Sequence, residues 1–275
     1  MFCDISPTCY KIALQKEICK RHLKNFLRHE SYATRCNTTP LPQLVSACSS
    51  HLIKRGKGID PKLQENKTIN INLANQTMNG ILLHPGETFS FWKLVGKTTK
   101  RKGYQEGRVL VRNRILPGMG GGLCNLANTI HRVVLLSPLT VTEFHQHSDA
   151  LAPDEGERVP FSSGTSVFYN NGDYRFRNDT DQLFQLLLWC DADTLYAELR
   201  CEAPLPHCYR ITEEGHHFQK EQETYYRVSK IYKETIDKSS RQVIEKTLVL
   251  DNHSEVMYDP SLIPGIKTVS QEEIP

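Results

Sequence analysis

Among the nine cysteines of the chain, Cys124 is distinguished by what surrounds it. It follows Gly120-Gly121-Gly122 and opens a run in which Leu126, Ile130, Val133 and Val134 recur at helical spacing until Ser137-Pro138 stops it. A thiol in the first turn of a helix faces unsatisfied N–H groups and the positive end of the helix dipole, both of which favour the nucleophilic thiolate. The three glycines permit backbone conformations closed to other residues and let a substrate approach the main chain, whose N–H groups could hold an oxyanion. The same residues also fit a purely structural use, with Cys124 as a small hydrophobe packing the helix start and the glycines making a tight turn.

Nucleophilic chemistry needs a base within hydrogen-bond reach, usually a histidine, and often a third group to orient it. His131 lies seven positions along the same helix, about 10 Å away at ~1.5 Å per residue, and is expected at the helix surface or an interface. Leu139, Val141, Glu143, His145 and His147 alternate with Thr140, Thr142, Phe144 and Gln146. This is strand periodicity, and it places both histidines on the Leu139/Val141 face. His147, which leads into Ser148-Asp149, is the favoured base, with His145 in reserve; Asp149, Asp173 and Asn178 are candidate orienters. His145-x-His147-x-Asp149 also has the alternation seen in the metal motif of metallo-β-lactamases, but the position of that motif's next histidine is Ala150, so no metal is expected. His216-His217 points apart on a strand and is expected in solvent, and His84 precedes the turn at Pro85-Gly86. No P-loop, GxGxxG, GxSxG or HExxH pattern occurs, and no cofactor is expected.

The elements that would position these residues belong to a folded chain. In 275 residues, 39% are apolar and 24% charged, which excludes collagen-like, low-complexity and wholly disordered proteins. The formal charge of +3 gives no reason to expect nucleic acid as a partner. No apolar run approaches the ~18 residues of a transmembrane segment, and the N-terminus is too interrupted by charge for a signal peptide. With an odd number of cysteines and no CxxC, a cytoplasmic location is expected.

Residues 9 to 29 read as a basic amphipathic helix, either packed on the core with a solvated basic face or lying on a membrane surface. Residues 31 to 50 lack periodicity, and 51 to 62 look like a linker. A helix from Glu65 ends at Asn79-Gly80, EGRVLVRNRILPGM reads as a hairpin turning at Arg112 to Arg114, and TSVFYN, DYRFRN, LFQLLLWC and TLYAELRCEA read as a meander of strands. YYRVSKIYKETI and RQVIEKTLVL suggest a further hairpin. The expected fold is α+β: a helix packed on a mainly antiparallel sheet over 63–202, with a helical N-terminal extension and linker (1–62) and a β-rich C-terminal extension (203–275).

The runs NGILLHPGETFSFWKLVG, KGYQEGRVL, GMGGGLCNLANTIH, EFHQHS and DYRFRNDTD, in that order, resemble the VanW family, named after an accessory protein of glycopeptide-resistance clusters. The resemblance covers about residues 63 to 202. It implies a role in cell-wall (peptidoglycan) metabolism, with cysteine-based L,D-transpeptidation or hydrolysis of a peptidoglycan peptide or precursor. Cys124 would attack the peptide carbonyl to form a thioester, with His147 or His145 as base and the N–H groups around Gly122 to Cys124 as oxyanion donors. Many members read Cys-Gln followed by Ser or Thr; here Cys124-Asn125 and Asn128-Thr129 place the shorter amides of Asn125 and Asn128 at the site. The alternative is a non-catalytic cytoplasmic accessory protein that uses the glycine-rich cleft for binding.

Overall fold

A computed structural model describes residues 6–27, 29–53, 60–111, 114–154, 158–161, 164–169 and 171–264. In chain order the helices are α1 (Pro7–Leu27), α2 (Pro61–Met78), α3 (Phe91–Val95) and α4 (Leu123–Leu135). The strands are β1 (Gln43–His51), β2 (Ile81–Leu83), β3 (Thr88–Ser90), β4 (Glu106–Val111), β5 (Arg114–Met119), β6 (Thr140–Glu143) and β7 (Arg175–Arg177), then β8 (Phe184–Cys190), β9 (Thr194–Cys201), β10 (His207–Glu221), β11 (Thr224–Asp237) and β12 (Val243–Glu255). They form a four-stranded sheet in the order β1-β9-β8-β2, two three-stranded sheets, β3-β7-β6 and β10-β11-β12, and the β4-β5 hairpin, with every ladder antiparallel. The class is α+β, as the sequence patterns indicate.

Several segments differ from their sequence-based expectation. The stretch without periodicity, 31–50, contains β1, an edge of the central sheet, because its mixed Ser and Cys side chains meet the polar backbone of α4: Ser46 Oγ donates to Val133 O at 2.7 Å and Cys48 Sγ to Thr129 O at 3.3 Å. TSVFYN makes only isolated bridges, Thr165 to Gln146 and Phe168 to Gly172. The expected turn at Arg112 and Asn113 lies outside the described residues. His216 and His217 are exposed beside a bulge in β10.

Helix α2 starts at Pro61 rather than Glu65, because Asp60 accepts from Lys62 N at 2.8 Å and the proline takes a position where no N–H is needed. Its buried face is unusual in being half polar, with Gln64, Asn66, Asn70 and Asn75 beside Ile71, Ala74 and Met78. Asn70, fully buried, donates to Gln105 O (3.1 Å) and Gly121 O (2.9 Å) and accepts from Gln105 N (2.8 Å); Asn66 donates to Glu106 O at 2.8 Å. These amides supply partners for backbone at the start of β4 and in the sharp turn before α4.

Helix α4 is buried on nearly all sides. Leu126, Ala127, Ile130, Val133 and Val134 are inaccessible to solvent and join the main core with Phe89, Phe176, Phe184, Leu186 and Leu199. The C-terminal sheet is joined through a second cluster of Leu135, Phe161 and Ile231 and through partly buried ion pairs. Arg158 bridges Asp149 (2.8 Å) and Glu213 (2.7 Å), and Arg227, 1% exposed, reaches Asp154 at 2.8 Å.

Helix α1 is held mainly by polar contacts. Arg21 forms a two-pronged pair with Glu143, and Asn25 Oδ1 accepts from Arg175 at 2.9 Å. Burial raises the Glu143 pKa, but hydrogen bonds from His145, Arg21 and Asp173 N outweigh it and bring the group down to about 2.

Two outcomes follow from this packing. Asn70→Leu removes three hydrogen bonds and leaves the buried Gly121 carbonyl without its amide donor, and a loss of roughly 2 kcal/mol is expected in denaturant unfolding, at about 1–3 kcal/mol for an orphaned buried group. Glu143 has a depressed folded pKa, so its contribution to α1 docking is complete above about 4.5 and is lost as pH falls from there toward about 2. Hydrogen exchange of α1 amides is expected to accelerate in that window, and Arg21→Ala should move the onset to higher pH.

Candidate functional site

Cys124 is the second residue of α4, whose N-cap, Gly122, has φ +100°, while Gly120 has φ +75°. The glycines answer to packing as well as to backbone angle. A Cβ on Gly121 would fall 2.1 Å from the carbonyl carbon of Gly107 in β4, and one on Gly122 would fall 2.4 Å from Lys67 Cγ of α2. No side chain larger than hydrogen fits where the turn is pressed between the hairpin and α2. The N–H groups of Gly120 and Gly121 are used within the turn, bonding Gln105 O (3.0 Å) and Gly118 O (3.3 Å). Those of Gly122, Leu123 and Cys124 are left at the helix start, as the first donors of any helix are.

The Cys124 thiol is partly buried against the main core, with the Val167 carbonyl oxygen 4.0 Å from Sγ. Burial pushes this thiol up, opposite to the direction expected from the helix dipole, because desolvation of the thiolate outweighs the backbone donors.

The two candidate amides serve the scaffold. Asn125 Nδ2 donates to Ser50 Oγ of β1 at 2.8 Å. Asn128 donates to Phe161 O (2.8 Å) and accepts from Thr165 Oγ1 (2.7 Å) and Thr165 N (3.3 Å), so both ends of its amide tie Phe161 and Thr165 to α4.

The histidines are displaced from their expected face by one residue. In β6, Val141 pairs with Phe176 but Glu143 pairs with Arg175, so Thr142 is a bulge. Because successive side chains alternate, one extra residue exchanges the two faces. Val141 faces the core, but beyond the bulge Phe144 takes the core side, stacking on His131 at 4.5 Å, while Glu143 and His145 turn to the opposite side. His145 Nε2 donates to Glu143 Oε1 at 2.9 Å. The alternation continues through the Gln146–Thr165 bridge: Thr165 meets Asn128 of α4, and His147 turns away from it, its Nδ1–H donating to Ser148 O at 2.7 Å. Burial lowers the His147 pKa. His145 thus turns to Glu143 and His147 to the Ser148 carbonyl, while Cys124 Sγ has the Val167 carbonyl oxygen as its neighbour.

Asp149 is engaged with Arg158, with its backbone oxygen 3.3 Å from Arg227 Nη1, so it ties the C-terminal sheet to the domain. Asp173 is buried, accepting from Ser90 Oγ (2.6 Å), Trp92 N (3.0 Å), Tyr174 N (2.9 Å) and Arg175 Nε (2.7 Å). Asn178 shapes the turn before β8, donating to Leu83 O and Gln182 O, both at 2.8 Å. His131 is 1% exposed, which corrects the surface position expected for it. Phe144, Phe161 and Tyr174 surround its ring, Nδ1 shares a hydrogen bond with Tyr174 Oη at 3.1 Å, and burial pushes its pKa down to about 3. Among the described residues, no three His, Cys, Asp or Glu side chains converge as a metal-binding group.

The polar cluster that sequence reasoning missed is Arg21, Glu143, His145 and Arg175. Arg175, 3% exposed, contacts Glu30 at 3.1 Å, Tyr32 Oη at 2.9 Å and Asp173 at 2.7 Å, with Glu143 3.6 Å away. The available signal was a lone acid, Glu143, in an otherwise apolar alternation, and a lone arginine between Tyr174 and Phe176.

A family model described as VanW like protein matches residues 66–200. The Vancomycin B-type resistance protein VanW of Enterococcus faecalis is 27% identical over 227 residues, 82% of each chain. The uncharacterized protein YoaR of Bacillus subtilis is 28% identical over 118 residues, 43% of this chain and 37% of that one. No solved structure matches significantly. The matched region spans α2 to β9 and includes the glycine turn, Cys124 and the bulged strand, and with these similarities residues 66–200 are identified as a VanW-like domain.

Proposed function

We propose that this chain is a cell-wall-associated accessory protein of the kind found in glycopeptide resistance, and that it binds a peptide-like wall component or precursor non-covalently at the glycine turn before α4. The wall association rests on its family and on its similarity to a protein named for vancomycin resistance. The observation that carries the binding role is the β6 bulge, beyond which His145 turns to Glu143 and His147 to the Ser148 carbonyl, together with the N–H groups of Gly122 to Cys124 at the start of α4. Main-chain donors at a helix start suit a carboxylate or carbonyl of a peptide. Asn125 and Asn128, committed to Ser50 and to Phe161 and Thr165, keep that turn in place.

A second reading is favoured by the position of Cys124 itself, in the first turn of a helix after three glycines. In that reading the thiolate attacks a stem-peptide carbonyl, forms a thioester and expels an amine, and the acyl group passes to another amine or to water. It requires a base to reach Sγ once substrate is bound.

The pH dependence of Cys124 alkylation, read by peptide mass spectrometry, separates the two. The binding role predicts a midpoint above the ordinary ~8.5 of a free thiol that is unchanged in His145→Ala and His147→Ala. Cys124→Ser should then retain affinity for a synthetic stem peptide. A midpoint well below ~8.5 that rises when either histidine is removed would replace the binding role with the enzymatic one.

A further inference from the structure

Helix α1 carries two apolar faces, and the fold uses one of them. At about 100° per residue, Leu14, Ile18, Arg21 and Asn25 lie within about 60° of one another. This is the docked side: Ile18 is buried, Arg21 pairs with Glu143 and Asn25 with Arg175. On the opposite side, Ile12, Leu23, Phe26 and Leu27 fall within about 100° of arc. These four are 56%, 59%, 75% and 63% exposed, far more than a helix packed on a core requires. The apolar residues of the helix are therefore divided, with Ile18 inward and Leu23, Phe26 and Leu27 outward.

The charge around the outward stripe is one-sided. Within α1 there are four lysines and Arg21 against a single acid, Glu17, which is already paired with Lys20 at 2.8 Å. Lys16, Lys20 and Lys24, all exposed, run along the edge of the stripe next to Leu27. A second copy of the chain would bring two such basic helices face to face, which like charges oppose. A surface with negative headgroups above an apolar layer answers both properties at once.

We propose that the outward face of α1 binds an anionic membrane surface. Ile12, Leu23, Phe26 and Leu27 enter the boundary between headgroups and acyl chains, and Lys16, Lys20 and Lys24 pair with the headgroups. The helix lies in the plane of the surface and does not span it. It stays docked on the protein through Arg21 and Asn25, so the domain is held close to the bilayer without rearranging. The inference is independent of what Cys124 does.

The test is flotation of the full chain with phosphatidylcholine vesicles, with and without 30 mol% phosphatidylglycerol. Binding to the anionic vesicles at low salt is expected, at least tenfold weaker to neutral vesicles and strongly reduced in 0.5 M NaCl. The double variant Leu23→Ser/Phe26→Ser should lose at least tenfold in binding, and Lys16→Glu/Lys20→Glu should lose the preference for phosphatidylglycerol, both with an unchanged thermal melt because neither pair supports the core. Absence of binding by the native chain, or equal binding by the serine variant, would overturn the proposal. Concentration-dependent self-association abolished by the same serine substitutions, without vesicle binding, would instead assign this face to a second copy.

Discussion

Two carboxylates in the middle of the molecule, Asp173 and Glu143, set the terms for much of the structure. Asp173 is 1% exposed, and a carboxylate so placed is tolerated only when hydrogen bonds and cations compensate the loss of water. Four donors converge on it: the hydroxyl of Ser90, the backbone N–H groups of Trp92 and Tyr174, and Arg175 Nε. The arginine brings its own demand, because its remaining donors must also be met in a buried place, and Glu30, Tyr32 and Asn25 meet them. Glu143 lies 3.6 Å from the same guanidinium and recruits Arg21. In this way the N-terminal helix, the segment after it, β3, β6 and β7 are connected by charge compensation as much as by apolar packing.

The bulge in β6 belongs to the same arrangement. Without the extra residue, Glu143 would share the core face with Val141 and meet Phe176 and the aromatic surroundings of His131, where no cation waits. Inserting Thr142 delivers Glu143 to Arg175 and Arg21 and gives the vacated core position to Phe144. His145 and His147 follow Glu143, because alternation allows them no separate choice. The pairing of His145 with Glu143 is therefore a consequence of where a carboxylate can be buried.

The glycine turn depends on a different constraint, that of backbone satisfaction. The sharp reversal between β5 and α4 leaves the Gly121 carbonyl off the β4-β5 ladder, and the buried Asn70 reaches it from α2 while also binding the backbone of Gln105, just before β4. The approach is so close that Gly107, Gly121 and Gly122 leave no room for a Cβ. The N–H groups at the start of α4 are held by a rigid surround, which suits a site that binds through its main chain. The C-terminal sheet is attached through Arg158 and Arg227, so its docking is again a matter of opposite charges meeting at a partly buried contact.

From the sequence alone, local rules determined the elements with strong periodicity or clear punctuation. These are α4 between the glycines and Ser137-Pro138, the end of α2 at Asn79-Gly80, strands β8, β9, β11 and β12, and the α+β class, together with Cys124 in the first turn of its helix and the motif order that marks the family. Each depends on neighbours within a few residues, which a linear text records. Tertiary structure decided the rest. Strand β1 has no alternation because its partners are the backbone of α4 and the strand β9, more than a hundred residues away. His131 could not be placed, since three aromatic rings from distant segments enclose it. A single bulge, invisible in residue spacing, chose which face His145 and His147 occupy. Burial, a property of the assembled core, moved the Cys124 thiol in the direction opposite to its helix position. The division of α1 into a docked and an outward face was decided by Glu143 and Arg175, which its own sequence does not contain.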